Sequence, residues 1–366
     1  MSSATTSCWT TSAAETARIA PRRTGAAWLL PFVFLLAACA PEPEVWRLEG
    51  ATMGTTWHVT LVDPPAGLAR EAAAAGVEAA LERVNAQMST YRADSEVSRF
   101  NRAAPGEWFA VSADTAAVVA TALEVHQGSG GAFDITVGPL VDLWGFGAGS
   151  GAMGRVPAPD ELAAAAARVG SDALRVRADP PALFKSADRE IDLSAIAKGF
   201  GVDRAALWLE GNGVANYMVE VGGEVRTRGR NPQGEKWRIG IEAPELLQQG
   251  HAITAVALSG ESVATSGDYR NFFEAGGRRY SHTIDPATAR PVEHALASVT
   301  VVAADCKTAD ALATAIDVLG PDKGLAFAER HNLAVYLLVR AGAGFESRHS
   351  PAFAPFLGTA AAKETP

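Results

Sequence analysis

The pattern of apolar and polar positions along this chain predicts both strands and helices. Apolar and polar residues alternate over 55–62, which is typical of a half-buried strand, and apolar runs at 216–221 and 298–302 predict buried strands. Residues 68–88 and 114–127 have the apolar spacing of helices. Further helices are predicted at 160–169, 194–210 and 323–329, and further strands at 174–176, 183–185, 190–193, 236–242, 253–258 and 335–339. The elements mix without a strict strand–helix–strand repeat, which indicates an α+β fold with mixed sheets.

The segment 262–320 carries a concentration of polar side chains. Its small residues Thr265, Ser266 and Gly267 predict a turn, and a later helix carries Asp310 and Thr314. These last two are four positions apart and therefore share one helix face. A carboxylate beside a hydroxyl suits a hard cation that prefers oxygen ligands. An ordinary polar helix face is the alternative, and the spacing alone favours it.

A second helix start, at Ser194, follows Asp192 and precedes Lys198. Ser194 is a natural N-cap, and the N–H groups at such a helix start form an anion site. Lys198 lies in the first turn, where a cation is unfavourable unless an anionic ligand is nearby. Local conflicts of this kind are expected at functional sites.

The loop 131–147 is rich in glycine and aromatic residues. Its glycines let the backbone approach a ligand closely, and Phe133 and its aromatic neighbours offer flat apolar surface. A packed loop with aromatic plugs is the alternative that the sequence leaves open.

Composition narrows the possible functions. The formal charge is −9 and no cluster of Lys and Arg occurs, which argues against nucleic-acid binding. The P-loop pattern G-x-x-x-x-G-K-[ST], the hydrolase pattern G-x-S-x-G and the zinc-protease pattern H-E-x-x-H are absent. Among the three cysteines, Cys306 alone is expected to keep a thiol in the mature chain, so no intrachain disulfide is predicted.

The N-terminal residues have the organisation of a lipoprotein signal peptide. Arginines at 18, 22 and 23 precede an apolar stretch at 28–38, and Leu36-Ala37-Ala38-Cys39 resembles a lipobox. We therefore predict a signal peptide at 1–38, a lipidated Cys39, a tether at 39–50, a catalytic domain at 51–358 and a flexible tail at 359–366. The expected location is the periplasmic side of the inner membrane, anchored by lipid. A signal cleaved at small residues beside an incidental cysteine is the alternative.

Eight short motifs occur in order along the mature chain. They are ATMGTTW from Ala51, STYR from Ser89, GGAFDITVGPLVDLWGFG from Gly130, DLSAIAKGFGVD from Asp192, EVGGEVRTRGRNP from Glu220, SVATSGDYRNF from Ser262, SHTIDPATARPV from Ser281 and DALATAIDVLG from Asp310. Each motif alone is weak, but together they resemble the ApbE family, the FAD:protein FMN transferases of bacterial envelopes. The resemblance implies a T-fold-like α+β catalytic domain.

The resemblance also implies particular site residues. The predicted flavin-binding positions are Met53, Tyr91, Ala132, Phe133, Asp134, Asp192, Lys198, Ser266 and His282. The family's Mg²⁺ ligands match the backbone carbonyl of Ala195 together with Asp310 and Thr314. Its polar motif near the phosphates matches His282 and Asp285, which we count with Asp310 as predicted catalytic residues.

The activity implied by the resemblance is Mg²⁺-dependent transfer of FMN from FAD to a threonine hydroxyl of an acceptor flavoprotein, with release of AMP. Family acceptors are subunits of Na⁺-translocating NADH:quinone reductases and Rnf-type complexes. The hydroxyl needs a general base, and the sequence leaves Asp310 and His282 as candidates. Two other functions stay open at this point: an FAD pyrophosphatase that uses water in place of threonine, and a flavin-binding lipoprotein without catalysis.

Overall fold

The computed structural model describes residues 42–147, 154–242, 252–267, 271–342 and 344–357. The predicted signal peptide, Cys39 and the tail 359–366 lie outside these residues. The compact unit begins at Pro43.

The helices are α1 (Arg70–Met88), α2 (Glu96–Arg102), α3 (Ala113–Gly128), α4 (Gly138–Leu143), α5 (Pro159–Ala166), α6 (Ser194–Gly211) and α7 (Cys306–Arg330). The strands are β1 (Val45–Thr52), β2 (Thr55–Val62), β3 (Trp108–Ala110), β4 (Leu174–Ala178), β5 (Pro181–Lys185), β6 (Asn216–Val221), β7 (Glu224–Arg228), β8 (Trp237–Glu242), β9 (Ala252–Leu258), β10 (Ser262–Gly267), β11 (Phe272–Ala275), β12 (Arg278–Ser281), β13 (Ile284–Asp285), β14 (Arg290–Pro291), β15 (Leu296–Ala303), β16 (Ala334–Ala341) and β17 (Gly344–His349).

An eight-stranded sheet in the order β1-β2-β6-β7-β10-β15-β16-β17 forms the centre of the fold. Helices α6 and α7 pack against it, and α1 packs against α6. Its neighbouring strands pair antiparallel. The predicted α+β class is confirmed, and the sheet is antiparallel where the sequence predicted mixed sheets.

Strand β15 shows how the sheet is covered on both faces. Val299 and Val301 belong to the core cluster that includes residues of α7. Val302 belongs to a second cluster with residues of β8, β9 and the 3₁₀ turn Pro351–Phe356. Successive strand residues point to opposite faces. A strand buried on both sides has little need of polar positions, which explains the nearly continuous apolar run in its sequence.

The junction of α6 and α7 depends on a glycine and a carboxylate. A Cβ atom on Gly199 would lie 2.4 Å from the carbonyl oxygen of Cys306, so only glycine permits this approach. Asp203 of α6 accepts hydrogen bonds from the N–H groups of Cys306 and Lys307, at 3.0 Å each. These are unpaired donors of the first turn of α7, and Asp305 accepts a further one from Thr308 at 3.0 Å. The two helices are therefore fixed together where α7 begins.

Two tight hairpins shape the end of the sheet near these helices. Gly222 and Gly223, both with positive φ, connect β6 to β7, and Met53 and Gly54 connect β1 to β2 in the same way. Two-residue turns with positive φ at both positions match the twist of antiparallel strands. The first hairpin places Glu224 directly after its turn.

Several predicted elements differ from the structure. Thr265, Ser266 and Gly267 do not form a turn, because they complete β10 and pair with β15. Residues 190–193 form no strand. The predicted tether 39–50 is wrong over 45–50, because β1 begins at Val45 and pairs with β2. No helix of the described residues is long and apolar enough to cross a membrane.

Candidate active site

A cavity of about 700 Å³ lies beside the junction of α6 and α7. A volume of this size accommodates a small-molecule cofactor or substrate. Ten of the residues predicted from the sequence line it: Ala132, Phe133, Asp134, Asp192, Ala195, Lys198, Ser266, His282, Asp310 and Thr314. Three others, Met53, Tyr91 and Asp285, are not among the lining residues. The fold therefore brings most of the predicted site together from segments far apart in sequence.

A buried charge cluster occupies one wall of the cavity. The ammonium group of Lys198 lies 3.1 Å from Glu224 Oε1 and 3.5 Å from Asp310 Oδ1. Glu224 and Asp310 are almost fully buried, while 30% of the Lys198 side chain is exposed. Burial lowers the pKa of Lys198, but the nearby charges of Asp310 and Glu224 outweigh burial and raise it overall. Lys198 is therefore a permanent cation, and its place in the first turns of α6 is explained by two carboxylates.

Glu224 is the member of the cluster that the sequence analysis missed. Burial raises its pKa to about 7; the charge of Lys198 opposes this shift and that of Asp310 adds to it. Its second oxygen, Oε2, is buried without a hydrogen-bond partner among the described residues. Its position after the Gly222-Gly223 hairpin was the available signal, because a carboxylate next to a tight turn at a sheet end is held rigidly.

Asp310 also controls the backbone of α6. Its Oδ2 atom accepts a hydrogen bond from the N–H of Gly199 at 3.0 Å. In a regular α-helix that N–H donates to the carbonyl four residues earlier, which here is Ala195. The Gly199 N–H can be shared between Asp310 and the Ala195 carbonyl, and a carbonyl oxygen has two lone pairs, so Ala195 keeps capacity for a ligand in the cavity. Two of the three predicted metal ligands are thus linked through one backbone group.

The oxygen groups on this wall fit Mg²⁺ in chemical type. A carboxylate, a hydroxyl and a carbonyl, from Asp310, Thr314 and Ala195, line the same cavity. The unpartnered Oε2 of Glu224 adds buried negative charge close by. Among the described residues, no group of three or more His, Cys, Asp or Glu side chains is arranged to hold a metal ion. A metal at this wall would therefore depend on neutral oxygens and on its substrate for most of its ligands.

Two aspartates build the loops at the cavity rim. Asp134 accepts hydrogen bonds from the Thr136 N–H at 2.8 Å and from the Ser171 hydroxyl at 2.6 Å. Asp192 accepts the N–H of Ser194 at 2.8 Å, and its own N–H donates to the Ile135 carbonyl at 2.7 Å. The predicted N-cap role of Ser194 is wrong, because Ser194 is the first residue of α6 and its N–H is held by Asp192.

His282 lies on another wall, beside a group of stacked aromatic rings. Phe273 and Tyr280 stack with their centroids 5.1 Å apart, and Phe146 meets the His282 ring edge-on at 6.4 Å. The Nδ1 atom of His282 lies 3.1 Å from the backbone carbonyl of Asn271. A carbonyl can only accept, so Nδ1 carries the hydrogen, and the lone pair of the neutral ring is on Nε2.

Phe133 and Tyr91, two predicted flavin contacts, differ strongly in exposure. Phe133 lines the cavity, but it is only 2% exposed and its side chain belongs to the main core cluster. Its contact with the flavin stays a prediction, and the structure adds that Phe133 also packs in the core. Tyr91 is 73% exposed and stays a prediction from resemblance alone.

Met53 and Asp285 have clear structural roles near the site. Met53 occupies the β1–β2 turn with φ of 50° and packs against both large core clusters. Asp285 accepts a hydrogen bond from the Ala287 N–H at 2.9 Å, which stabilises the turn between β13 and β14. Its neighbours Ile284 and Pro286 line the cavity, so Asp285 shapes the wall that they form.

A model of the ApbE family matches residues 53–337. The chain belongs to the ApbE family. The FAD:protein FMN transferase of Vibrio cholerae serotype O1 is 44% identical to it over 338 residues, which cover 90% of this chain and 98% of that protein. The FAD:protein FMN transferase of Haemophilus influenzae is 45% identical over 323 residues, covering 87% of this chain and 93% of that protein.

Solved structures of ApbE proteins support the same assignment. The flavin transferase ApbE from Vibrio cholerae has a TM-score of 0.79 and 43% identity, and the match covers 86% of this chain and 100% of that one. The apo form of Pseudomonas stutzeri flavinyl transferase ApbE has a TM-score of 0.79 and 42% identity, with 86% and 98% covered. The family and the fold predicted from the eight motifs are thereby confirmed. The roles of individual residues stay predictions.

Proposed function

We propose that this chain transfers FMN from FAD to a hydroxyl group of an acceptor protein and releases AMP. Its ApbE relatives from two organisms are named FAD:protein FMN transferases and match over most of their length. The observation that carries the proposal for this chain is the cluster of Lys198, Glu224 and Asp310 in a cofactor-sized cavity. A cation beside oxygen ligands in the wall of a cavity suits the cleavage of a pyrophosphate.

The chain's own residues supply binding and orientation. Lys198, a permanent cation with part of its side chain exposed, is suited to the oxygens of a phosphate group. Asp310, Thr314 and the Ala195 carbonyl would hold Mg²⁺. When bound, Mg²⁺ neutralises charge on phosphate oxygens and stabilises the leaving group. Asp134 and Asp192, which fix the rim loops, line the same cavity.

His282 is the better candidate for the general base. Its Nδ1 hydrogen is directed to the Asn271 carbonyl, which places the basic lone pair on Nε2. Asp310, by contrast, is engaged with Lys198 and with the N–H of Gly199. In this scheme His282 takes the proton of the acceptor hydroxyl as that oxygen forms a bond to the FMN-side phosphorus, and AMP departs with the electrons of the broken P–O bond.

The envelope location belongs to the same proposal. The support is the order of arginines, apolar stretch and Leu36-Ala37-Ala38-Cys39 in the sequence. Lipidation at Cys39 would hold the enzyme on the periplasmic side of the inner membrane. Threonine-containing flavoprotein subunits of NADH:quinone reductases or Rnf-type complexes are the acceptors that we propose.

The proposal is tested by incubating the protein with FAD, Mg²⁺ and such an acceptor subunit, followed by intact-mass spectrometry. We expect one FMN on the acceptor, AMP in equal amount, and no modification of an acceptor in which the target threonine is valine. AMP and free FMN without a modified acceptor would instead identify a hydrolase. Unchanged FAD would identify a binding protein and contradict both enzymatic functions.

A further inference from the structure

Asp317 is a buried carboxylate that the proposed mechanism does not use. It lies on α7 one turn beyond Thr314, on the helix side that also carries Asp310, and its exposure is 0%. Its Oδ2 atom accepts hydrogen bonds from the Ser266 hydroxyl at 3.1 Å and from the Thr283 hydroxyl at 2.9 Å. Ser266 and Thr283 both line the cavity. Asp317 thus stands behind the cavity wall and holds two of its hydroxyls.

The backbone around Asp317 is fixed by a kink in α7. Gly320 leaves the helical conformation with φ of 76°, and Pro321 follows it. Proline has no N–H, so it cannot donate to the Asp317 carbonyl four residues earlier. His294 takes that place, with Nε2 at 2.7 Å from the Asp317 carbonyl oxygen. The position of this residue is therefore determined by contacts independent of the cavity.

Packing alone does not explain a carboxylate at this position. Its Oδ1 atom is buried and has no hydrogen-bond partner among the described residues. Burial raises the pKa of Asp317, against the opposing effects of the Thr283 hydroxyl, His282, His294 and the Ser266 hydroxyl. An apolar side chain would avoid this penalty. We therefore expect that Asp317 has a function that offsets the cost of burying it, and that this function acts through the two hydroxyls that it holds.

Hydrogen-bond chemistry fixes what these hydroxyls present to a ligand. A hydroxyl has one hydrogen to donate and two lone pairs, and the Oδ2 atom of Asp317 accepts whether the carboxyl group is ionised or carries its proton on Oδ1. Both hydrogens are therefore directed at Asp317. Toward the cavity, Ser266 and Thr283 can offer lone pairs only.

We propose that Asp317 sets Ser266 and Thr283 as hydrogen-bond acceptors, so that this wall of the cavity selects a ligand through an N–H donor carried by one of its ring systems. The inference rests on the proposed function, in which the ligand is FAD. FAD has two such donors, the imide N–H of the isoalloxazine ring and the amino group of adenine. Either one would pair with the two hydroxyls, and a ligand without the donor would leave the hydroxyls facing an acceptor or an apolar group.

The test compares three ligands on wild type and on Asp317→Asn. The ligands are FAD, FAD methylated at the imide nitrogen, and the dinucleotide with unsubstituted purine in place of adenine, which lacks the amino group. Affinities are measured by flavin fluorescence. We expect wild type to bind one analogue about 10- to 100-fold more weakly than FAD, which identifies the donor. In Asp317→Asn the amide group donates to a hydroxyl, so that hydroxyl turns its hydrogen toward the cavity. We expect this variant to bind FAD more weakly and to discriminate less than about threefold.

Matched variants separate this role from a general effect on folding. Glu329→Gln removes an exposed carboxylate from the same helix and should leave the discrimination unchanged. Thr283→Val and Ser266→Ala remove one hydroxyl each and should reduce the discrimination between FAD and the analogue, even if Asp317→Asn does not fold. If wild type binds FAD but accepts both analogues equally, or if Asp317→Asn folds and keeps the discrimination, the inference is wrong while the proposed function stands. If wild type does not bind FAD, both are wrong.

Discussion

Gly199 offers the sharpest test of how the helix junction supports the site. In Gly199→Ala the added carbon would lie 2.4 Å from the carbonyl oxygen of Cys306 and 2.9 Å from Cβ of Asp310. Favourable carbon contacts lie at about 3.5–4.0 Å, so α6 and α7 would have to separate locally by about 1 Å. Overpacking of this kind costs about 1–3 kcal/mol, and the higher helix propensity of alanine offsets at most about 1 kcal/mol. We expect a net loss of about 1–2 kcal/mol in the free energy of unfolding.

The effect on activity should exceed the effect on stability. The same separation moves Asp310 away from the Gly199 N–H and from Lys198, which now lie at 3.0 Å and 3.5 Å from its oxygens. A misplacement of about 1 Å among reacting groups can lower turnover by about 100-fold. Chemical denaturation gives the stability, and FMN transfer to an acceptor, followed by mass spectrometry, gives the turnover.

Gly211→Ala is the matched control, because Gly211 ends the same helix and a Cβ there would meet nothing within 4 Å. This variant should be as stable as wild type or slightly more stable, with normal turnover. If Gly199→Ala matches Gly211→Ala in both measurements, close approach of α6 and α7 is not what holds the site.

Three further predictions concern the metal, the buried acid and the anchor. Asp310→Ala should lower FMN transfer by orders of magnitude while FAD still binds, and Thr314→Val should have a milder effect. EDTA should reproduce the Asp310→Ala loss of transfer in wild type until Mg²⁺ is added. Full transfer without metal would contradict this prediction. The folded state holds the Glu224 proton more tightly, with the pKa raised from 4.5 to about 7. The contribution of Glu224 to the free energy of unfolding of metal-free protein should therefore fall by on the order of 3 kcal/mol as pH rises from about 4.5 to 7. Denaturation at several pH values should show a flatter dependence for Glu224→Gln, and an identical slope would refute the assignment. Cys39→Ser should abolish lipidation in a membrane-fractionation and mass assay, and unchanged processing would exclude the lipobox.

The sequence predicted the regular elements well where a single local pattern determines them. Strand β2 and strand β6 have the predicted bounds. The turn predicted at residues 265–267 was wrong because small residues also suit a strand whose neighbours approach closely. Residues 190–193 have strand-like composition, but Asp192 is used to join the Ile135 loop to the start of α6.

The site could be predicted only where a motif or a helix face revealed it. Asp310 and Thr314 follow helical spacing, and the same spacing extends to Asp317, whose contact with Ser266 and Thr283 depends on tertiary structure. Glu224 belongs to the site because the β6–β7 hairpin places it beside Lys198 in the cavity wall, a contact that depends on tertiary structure. Phe133 shows the converse, since an aromatic residue in a glycine-rich loop is equally suited to the core.

The charges of the cavity explain why the substrate and a cation should bind together. Lys198 is one cation, and it faces two buried carboxylates, Glu224 and Asp310, so the cluster has an excess of negative charge whenever both acids are ionised. Burial is the main cause of the raised pKa of Glu224, and the charge of Asp310 adds to it while that of Lys198 opposes it. A pyrophosphate brought to the same wall would add further negative charge, and like charges in a poorly solvated site repel strongly. A divalent cation held by Asp310 and the neighbouring oxygens would offset the excess negative charge of the cluster and its repulsion of the pyrophosphate. FAD and Mg²⁺ should therefore each increase the affinity of the protein for the other by the same factor.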